Sequence, residues 1–425
     1  MEMKPCVLDT RQTFGKEKGK FLYRCYPDDR SSPTLIPYEI PPQFQKKRCA
    51  YYVLVDYNLP IGKLMQNLGE VNEPNHYYEY LLYCKNLHVS QRTFHHVVLS
   101  KLKEVTWKDL PFRDASVFTI DGPTSVDLDD GFSIDDEKVS IYITWVPYIL
   151  DQLNLWKHMT NRISTIYFPD KRHALLPKLL ATLCSLNEGT TRPCLVLDLY
   201  YDGTHQWNVC SVKIHKNFTY HNVCGRDYER LEEKSGCIHS HDVVHHYMTK
   251  FNTLAASHLK KGIYMKVNKP DTLPPDWLPA YTNYYSYYDT TGDYAQITSP
   301  IRRMVDILNM IELTRTLELY DTKDQGFHEK WFNQLDFINE TYRTIRKAQN
   351  TAKLLDLFEQ NQHRIFEGVV WDGKENKHKV YLKDIGVMLT VQGEFEEFTT
   401  HHFQIYVFHD EAILKRKIRL QCICE

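Results

Sequence analysis

The stretch from Val117 to Ile134, VFTIDGPTSVDLDDGFSI, limits what this chain can fold into more than any other. It sets Asp121, Asp127, Asp129 and Asp130 between two short apolar runs, Val117–Ile120 and Gly131–Ile134. Alternation of period two reads as strand, and Gly122-Pro123-Thr124-Ser125 between the runs is turn chemistry. Four carboxylates are thereby brought to a point where a sheet interior meets a loop. Two unit charges about 4 Å apart repel by roughly 4 kcal/mol at an effective dielectric near 20. Such a group needs a countercharge, shared protons or solvent. Oxygen-only donors suit hard cations such as Mg²⁺ or Mn²⁺, which promote phosphoryl transfer by activating water and steadying the leaving oxygen. An EF-hand calcium loop is excluded: counted from Asp127, its fifth position is Gly131 and its sixth is Phe132 rather than glycine.

A distant stretch, Tyr294 to Asp306 (YAQITSPIRRMVD), supplies the opposite charge. Thr298 or Ser299 can cap a helix with Pro300 in its first turn, which predicts Arg302 and Arg303 in that same turn. A helix start is an anion site through its free N–H groups and dipole. Two arginines there oppose the dipole unless an anion such as RNA phosphate is expected. An intrahelical ion pair with Asp306 is the plainer alternative, worth about 0.3–0.5 kcal/mol.

Together these stretches resemble the RNase II/RNase R family of RNB-domain 3′→5′ exoribonucleases. Thr119-Ile120-Asp121 through Asp130 fits the motif T-I-D-x5-D-x-D-D, and Tyr294 to Arg303 fits Y-x-x-x-T-S-P-I-R-R. Between them, Ser164–Pro169, Leu176-Pro177 and Leu183-Cys-Ser-Leu186 resemble the family's S-x-Y-x-P…L-P…L-C-S-L run. The resemblance implies an α+β fold: an RNB catalytic domain, a mixed sheet with flanking helices, with OB-type β-barrels on both sides. The expected boundaries are a cold-shock/OB-like domain with helical linker over 1–105, the RNB domain over 106–360, and a C-terminal OB-like domain over 361–425. It further implies that Asp121, Asp127 and Asp130 hold one or two Mg²⁺ (or Mn²⁺) ions and that Asp129 positions a metal or the attacking water. By the same resemblance, Arg302 steadies the scissile phosphate, Arg303 binds a neighbouring one, and Tyr167 and Tyr220 stack on terminal bases.

The rest of the chain fits this frame. A chain of 425 residues allows two to four domains, and 42% hydrophobic with 25% charged residues is ordinary for a globular protein. The net charge of −2 means that RNA must be met by a local basic channel rather than a global field. Eleven cysteines without a C-x-x-C pair and without a secretory h-region predict reduced thiols in a cytoplasmic or other reduced compartment. No 18-residue apolar run predicts a membrane span, and a monomer is expected. The segments Lys20–Arg24, Thr34–Tyr38 and Ala50–Asp56 read as strands, His76–Ser100 as helix, and Asn339–Gln360 as a basic amphipathic helix. Phe366–Trp371, Lys379–Leu382 and Gly386–Thr390 read as barrel strands. The aromatic run Tyr281–Tyr288 reads as packing before RNA contact.

Two departures from the family stand out. Its acidic pair in I-E-E-x-M…N falls on His245 and His246, in Val243-Val-His-His-Tyr-Met248…Asn252, and a second base-clamping acid falls on Gln349. The segment from Asn252 to Tyr294 is also shortened, which marks a compact, divergent member. The expected function is Mg²⁺-dependent hydrolytic 3′→5′ degradation of single-stranded RNA to nucleoside 5′-monophosphates. The rival from another class is a catalytically weak or inactive RNA-binding scaffold on the same fold. A metal-dependent endonuclease would share the carboxylates without needing the two tyrosines.

Overall fold

The computed structural model describes residues 3–17, 19–29, 37–39, 49–56, 63–102, 105, 107, 109–267, 284–287, 294–374, 376–410 and 415–423. Five strands, β1 (Met3–Glu17), β2 (Lys20–Pro27), β3 (Pro37–Glu39), β4 (Ala50–Asp56) and β5 (Lys63–Glu70), close a barrel in the order β1-β2-β3-β5-β4. Its interior is small, built on Cys6, Leu8, Tyr23, Cys25, Tyr51, Val53 and Val55. Of the expected Thr34–Tyr38 strand, residues 34–36 lie outside the described residues. The helix expected over His76–Ser100 is two helices, α1 (Pro74–Cys84) and α2 (Arg92–Lys101). Pro74 sits in the first turn of α1, where its missing N–H costs nothing. The chain leaves α1 through Asn86, whose φ is +54°.

A second closed barrel follows, from β6 (Phe112–Asp121), β7 (Asp130–Ile134), β8 (Lys138–Thr144), β11 (Thr191–Tyr200) and β12 (His205–Thr219), in the order β11-β12-β6-β7-β8. Both faces of its strands are buried. Phe118, Ile120, Phe132, Ile141, Ile143, Leu195 and Leu197 belong to one apolar cluster, while Val117, Tyr142, Cys194, Val196, Val212 and Ile214 belong to another. The period of two thus serves two cores. Pairing of β12 with β6 is parallel, with Thr219 beside Asp121. Between β8 and β11 lie helix α3 (Val146–Gln152), a short hairpin of β9 (Ile166–Tyr167) and β10 (Arg172–His173), and helix α4 (Lys178–Cys184).

Helices α5 (Arg226–Ser235) and α6 (Ser240–His258) cover the barrel, and a two-stranded ribbon pairs β13 (Tyr264–Val267) with β14 (Tyr284–Tyr287). Residues 281–283 and 288 of the aromatic run fall outside the described residues. Helix α7 (Met304–Thr316) is buried from Met304 through Thr314 and joins the two largest cores. After α8 (Phe327–Phe332) comes the 26-residue α9 (Leu335–Gln360), about 39 Å long at 1.5 Å per residue. It packs through Ile338, Ile345, Ala348, Ala352 and Leu355 into the central core. Through Leu354, Leu357 and Phe358 it packs onto a final sheet. That sheet, β15 (Ile365–Lys374), β16 (Lys377–Leu382), β17 (Val387–Gln392), β18 (Thr400–Asp410) and β19 (Lys415–Cys422), runs β17-β16-β15-β18-β19 without a hydrogen-bonded closure among the described residues.

No helix among the described residues is long and apolar enough to cross a membrane. Every described cysteine is a free thiol.

Candidate active site

The four aspartates meet at one mouth of the second barrel. Asp121 ends β6, Asp130 begins β7, and Asp127 and Asp129 lie on the loop between them. Backbone geometry holds that loop. The Leu128 N–H donates to Ser185 Oγ (2.9 Å), and the Leu186 N–H donates to the Leu128 carbonyl (3.0 Å). The Thr144 N–H donates to the Asp129 carbonyl (2.9 Å). The L-C-S-L run therefore acts as the clamp of the acidic loop.

The second motif reaches the same mouth from 172 residues away. The Ile301 N–H donates to Asp129 Oδ1 (2.9 Å), and Arg302 Nε lies 3.7 Å from Asp129 Oδ2. The expected helix start is displaced: α7 begins at Met304 with Arg303 at its cap position, so both arginines precede the first turn instead of lying in it. The reason is Asp306, fully buried, whose Oδ1 accepts the Ser299 N–H (2.7 Å) and Arg303 Nη2 (2.7 Å). A side chain from inside the helix satisfies the turn that a helical carbonyl would otherwise serve. Arg302 Nη2 donates to Ser299 Oγ (3.0 Å). The Arg302 carbonyl accepts the Thr165 N–H (2.9 Å) and Ser164 Oγ–H (3.0 Å), locking the turn to the chain that leads into β9. Asn252 helps from α6: its Oδ1 accepts the Ile297 N–H (3.0 Å).

A cleft of about 600 Å³ contains all the expected site residues: Asp121, Asp127, Asp129, Asp130, Tyr167, Tyr220, Arg302 and Arg303. Tyr220 follows β12, its N–H bonded to the Asp121 carbonyl (2.9 Å), and its ring centroid lies 5.2 Å from that of His241. Tyr167 is 46% exposed, enough to offer a ring face, and its N–H donates to Gln349 Oε1 (2.9 Å). His245 lines the same cleft, one helical turn from His241, whereas His246 Nε2 is buried without a hydrogen-bond partner. Arg303, with its Nη2 on Asp306, is as much a scaffold for the turn as a phosphate ligand.

Sequence reasoning missed Arg172. Its Nη1 lies 2.6 Å from Asp127 Oδ2, a charge-assisted contact. The only hint was the charged run Asp170-Lys171-Arg172-His173 between the two apolar parts of the motif. Gln349, which stands where the resemblance expects a base-clamping acid, accepts the Tyr167 N–H on its side-chain carbonyl.

Burial dominates the electrostatics. It pushes Asp121 up to about 6 against the pull of a Thr119 hydrogen bond and of Arg302. It pushes Asp129 up to about 7 against Arg302 and the Ile301 N–H. Asp130 rises well above the usual carboxylate range, from burial first and then from Asp121 and Asp129 beside it. Asp121 Oδ2 and Asp130 Oδ2 are buried without a hydrogen-bond partner. Unsatisfied buried carboxylate oxygens are costly, and this pair fits a divalent cation. Among the described residues no three His, Cys, Asp or Glu side chains converge on a single metal position.

A second cleft of about 520 Å³ shares Tyr167, Arg302 and Arg303 with the first and adds Tyr264, Arg343, Arg346, Lys347 and Gln349. Acidic mouth and basic groove are therefore continuous.

Residues 109–224 match the RNB domain family model. The chain is 33% identical over 101 residues to ribonuclease R of Mycoplasmopsis pulmonis (strain UAB CTIP), covering 22% of this chain and 14% of that protein. It is 27% identical over 173 residues to the mouse exosome complex exonuclease RRP44, covering 37% of this chain and 18% of that one. The matched stretches thus span less than a fifth of these curated relatives. Among solved structures, Mycoplasma genitalium RNase R in complex with ribose-methylated single-stranded RNA aligns with a TM-score of 0.68 at 14% identity, over 99% of this chain and 89% of that one. Yeast Ssd1, described as a pseudonuclease, aligns with a TM-score of 0.60 at 13% identity, over 95% and 66%. At these identities the structural likeness establishes the fold alone.

Proposed function

We infer that this chain, a member of the RNB-domain family, is a divalent-cation-dependent 3′→5′ exoribonuclease that releases nucleoside 5′-monophosphates from single-stranded RNA. The observation that carries the reading is the junction at the carboxylate mouth, where the Ile301 N–H donates to Asp129 and Arg302 forms an ion pair with it. It joins the two separate motifs in one polar cleft. A bound Mg²⁺ or Mn²⁺ ion supplies Lewis-acid stabilisation of the phosphate oxygens.

The protein's own groups do the rest. Arg343, Arg346 and Lys347 line the groove along which a phosphate backbone would lie. Tyr167 and Tyr220 line the same cleft as the carboxylates, and aromatic rings there are suited to stacking that tolerates any base. Arg302, reaching past Asp129, faces the charge that develops on the phosphate. Asp129, fixed by the Ile301 N–H and beside Arg302, is placed to orient an attacking water. Mononucleotide release from one end requires an end-on entry, and a groove that shares Tyr167, Arg302 and Arg303 with the mouth supports that reading.

The rival scaffold reading takes its support from the likeness to a pseudonuclease, since fold does not imply function. The intact four carboxylates and Arg302 weigh against it. The deciding experiment uses 5′-labelled single-stranded RNA with Mg²⁺, comparing the wild type with Asp129→Asn. A descending ladder and free 5′-monophosphates from the wild type alone are expected. Internal cuts would replace the exonuclease with an endonuclease. Undegraded RNA bound by folded wild type with either Mg²⁺ or Mn²⁺ would mean a scaffold.

A further inference from the structure

We propose that Arg172 is the second cation of this site: its guanidinium holds Asp127, leaving Asp121 and Asp130 to take a single divalent ion. The inference rests on the reading of the cleft as a cation-dependent nuclease site and concerns how its charge is balanced.

The four carboxylates divide into two kinds. Asp129 has partners on both oxygens, the Ile301 N–H at 2.9 Å on Oδ1 and Arg302 Nε at 3.7 Å from Oδ2. Asp127, its side chain 6% exposed, has Arg172 Nη1 at 2.6 Å on Oδ2. Asp121 and Asp130 each keep one buried oxygen with no hydrogen-bond partner. With all four carboxylates ionised around a bound cation, Arg172 and Arg302 offset two of the negative charges, and the two that remain equal the charge of one Mg²⁺. Arg303 does not enter this balance, because its Nη2 is 2.7 Å from buried Asp306.

Arg172 is also built into place rather than draped across the surface. It lies in β10 directly opposite Tyr167 of β9, on a hairpin closed by the Phe168 N–H to the Lys171 carbonyl at 3.0 Å. The hairpin that presents the aromatic ring therefore presents the countercharge too. A guanidinium stays charged throughout the working pH range and cannot be removed by a chelator. Asp127 keeps its orientation with or without metal, which makes Arg172 a positioning residue for the acidic loop.

The test counts ions on the full-length chain without RNA, titrating Mn²⁺ by electron paramagnetic resonance and calorimetry. One equivalent should bind the wild type. Asp121→Asn and Asp130→Asn should each weaken it by roughly tenfold or more, and Asp127→Asn by less than about threefold. Arg172→Met should admit a second equivalent at the freed Asp127, and Arg172→Lys should restore one. Circular dichroism confirms folding of each variant, and the wild-type stoichiometry alone decides the matter if Arg172→Met unfolds. Two equivalents of similar affinity on the wild type would overturn the proposal, as would an Asp127→Asn defect equal to that of Asp121→Asn. Two ions together with RNA degradation would remove this inference and leave the nuclease. One ion without degradation would remove the nuclease and leave this inference, and no Mn²⁺ binding at all would remove both.

Discussion

The acidic mouth and the basic groove share three residues but hold their charge in different ways. In the mouth, the carboxylates sit at a strand end, at a strand start, and on a loop clamped by Ser185, Leu186, Thr144 and Ile301, with Arg172 on Asp127. In the groove, Arg343, Arg346 and Lys347 project from one face of α9 on long side chains. Displacement of about 1 Å can cost a hundredfold in a reacting geometry, whereas a phosphate held by screened charge tolerates rearrangement. The rigid region suits bond breaking, and the adaptable one suits holding a polymer of any sequence.

Four outcomes would break or sharpen this contrast, taken from the largest effect to the smallest. Asp129→Asn should lower turnover by roughly 10³-fold while RNA affinity, read by fluorescence anisotropy, changes little. Parallel losses of affinity and turnover would erase the distinction between the regions. Arg302→Ala, at the shared boundary, should lower kcat by about 10²-fold and raise KM far less, and a pure KM defect would move Arg302 to the groove.

The third concerns the metal-free protein. Asp121 at about 6 and Asp129 at about 7 lie above their unfolded values. The folded state therefore binds more protons than the unfolded state between about pH 4 and pH 7. Stability in EDTA is full below that window and falls as pH rises through it, by on the order of 3 kcal/mol for Asp121 alone. Thermal unfolding in EDTA should give a higher Tm at pH 5 than at pH 7.5, with a flatter profile for Asp129→Asn. The smallest effect belongs to the groove. Arg343→Ala with Arg346→Ala should weaken RNA binding by roughly tenfold and lower the slope of log K against log salt by about 1.4, with kcat preserved.

The sequence displayed the parts of this site that are contiguous. The aspartate stretch and the T-S-P-I-R-R stretch each carry their own turn chemistry, so their strand, loop and turn character could be read directly. What it hid depends on partners far along the chain. Arg172 sits 45 residues from Asp127, in no periodic pattern that would announce an ion pair. Asp306 looked like one half of a surface helix pair, yet it is fully buried and sets where α7 begins. Ser185 looked like part of a family pattern until its Oγ was found on the Leu128 N–H. The final sheet was legible as alternating strands, but alternation carries no information on whether a ladder closes.

The Ile301–Asp129 bond spans 172 residues, and that separation is also an interval of time. At about 5–20 residues per second, the four aspartates leave the ribosome roughly 10–30 s before Arg302 is joined to the chain. Throughout that interval the nascent protein holds its acids without Arg302, the cation paired with Asp129. On the exoribonuclease reading proposed above, the site is incomplete beside its own message until the chain has reached α7.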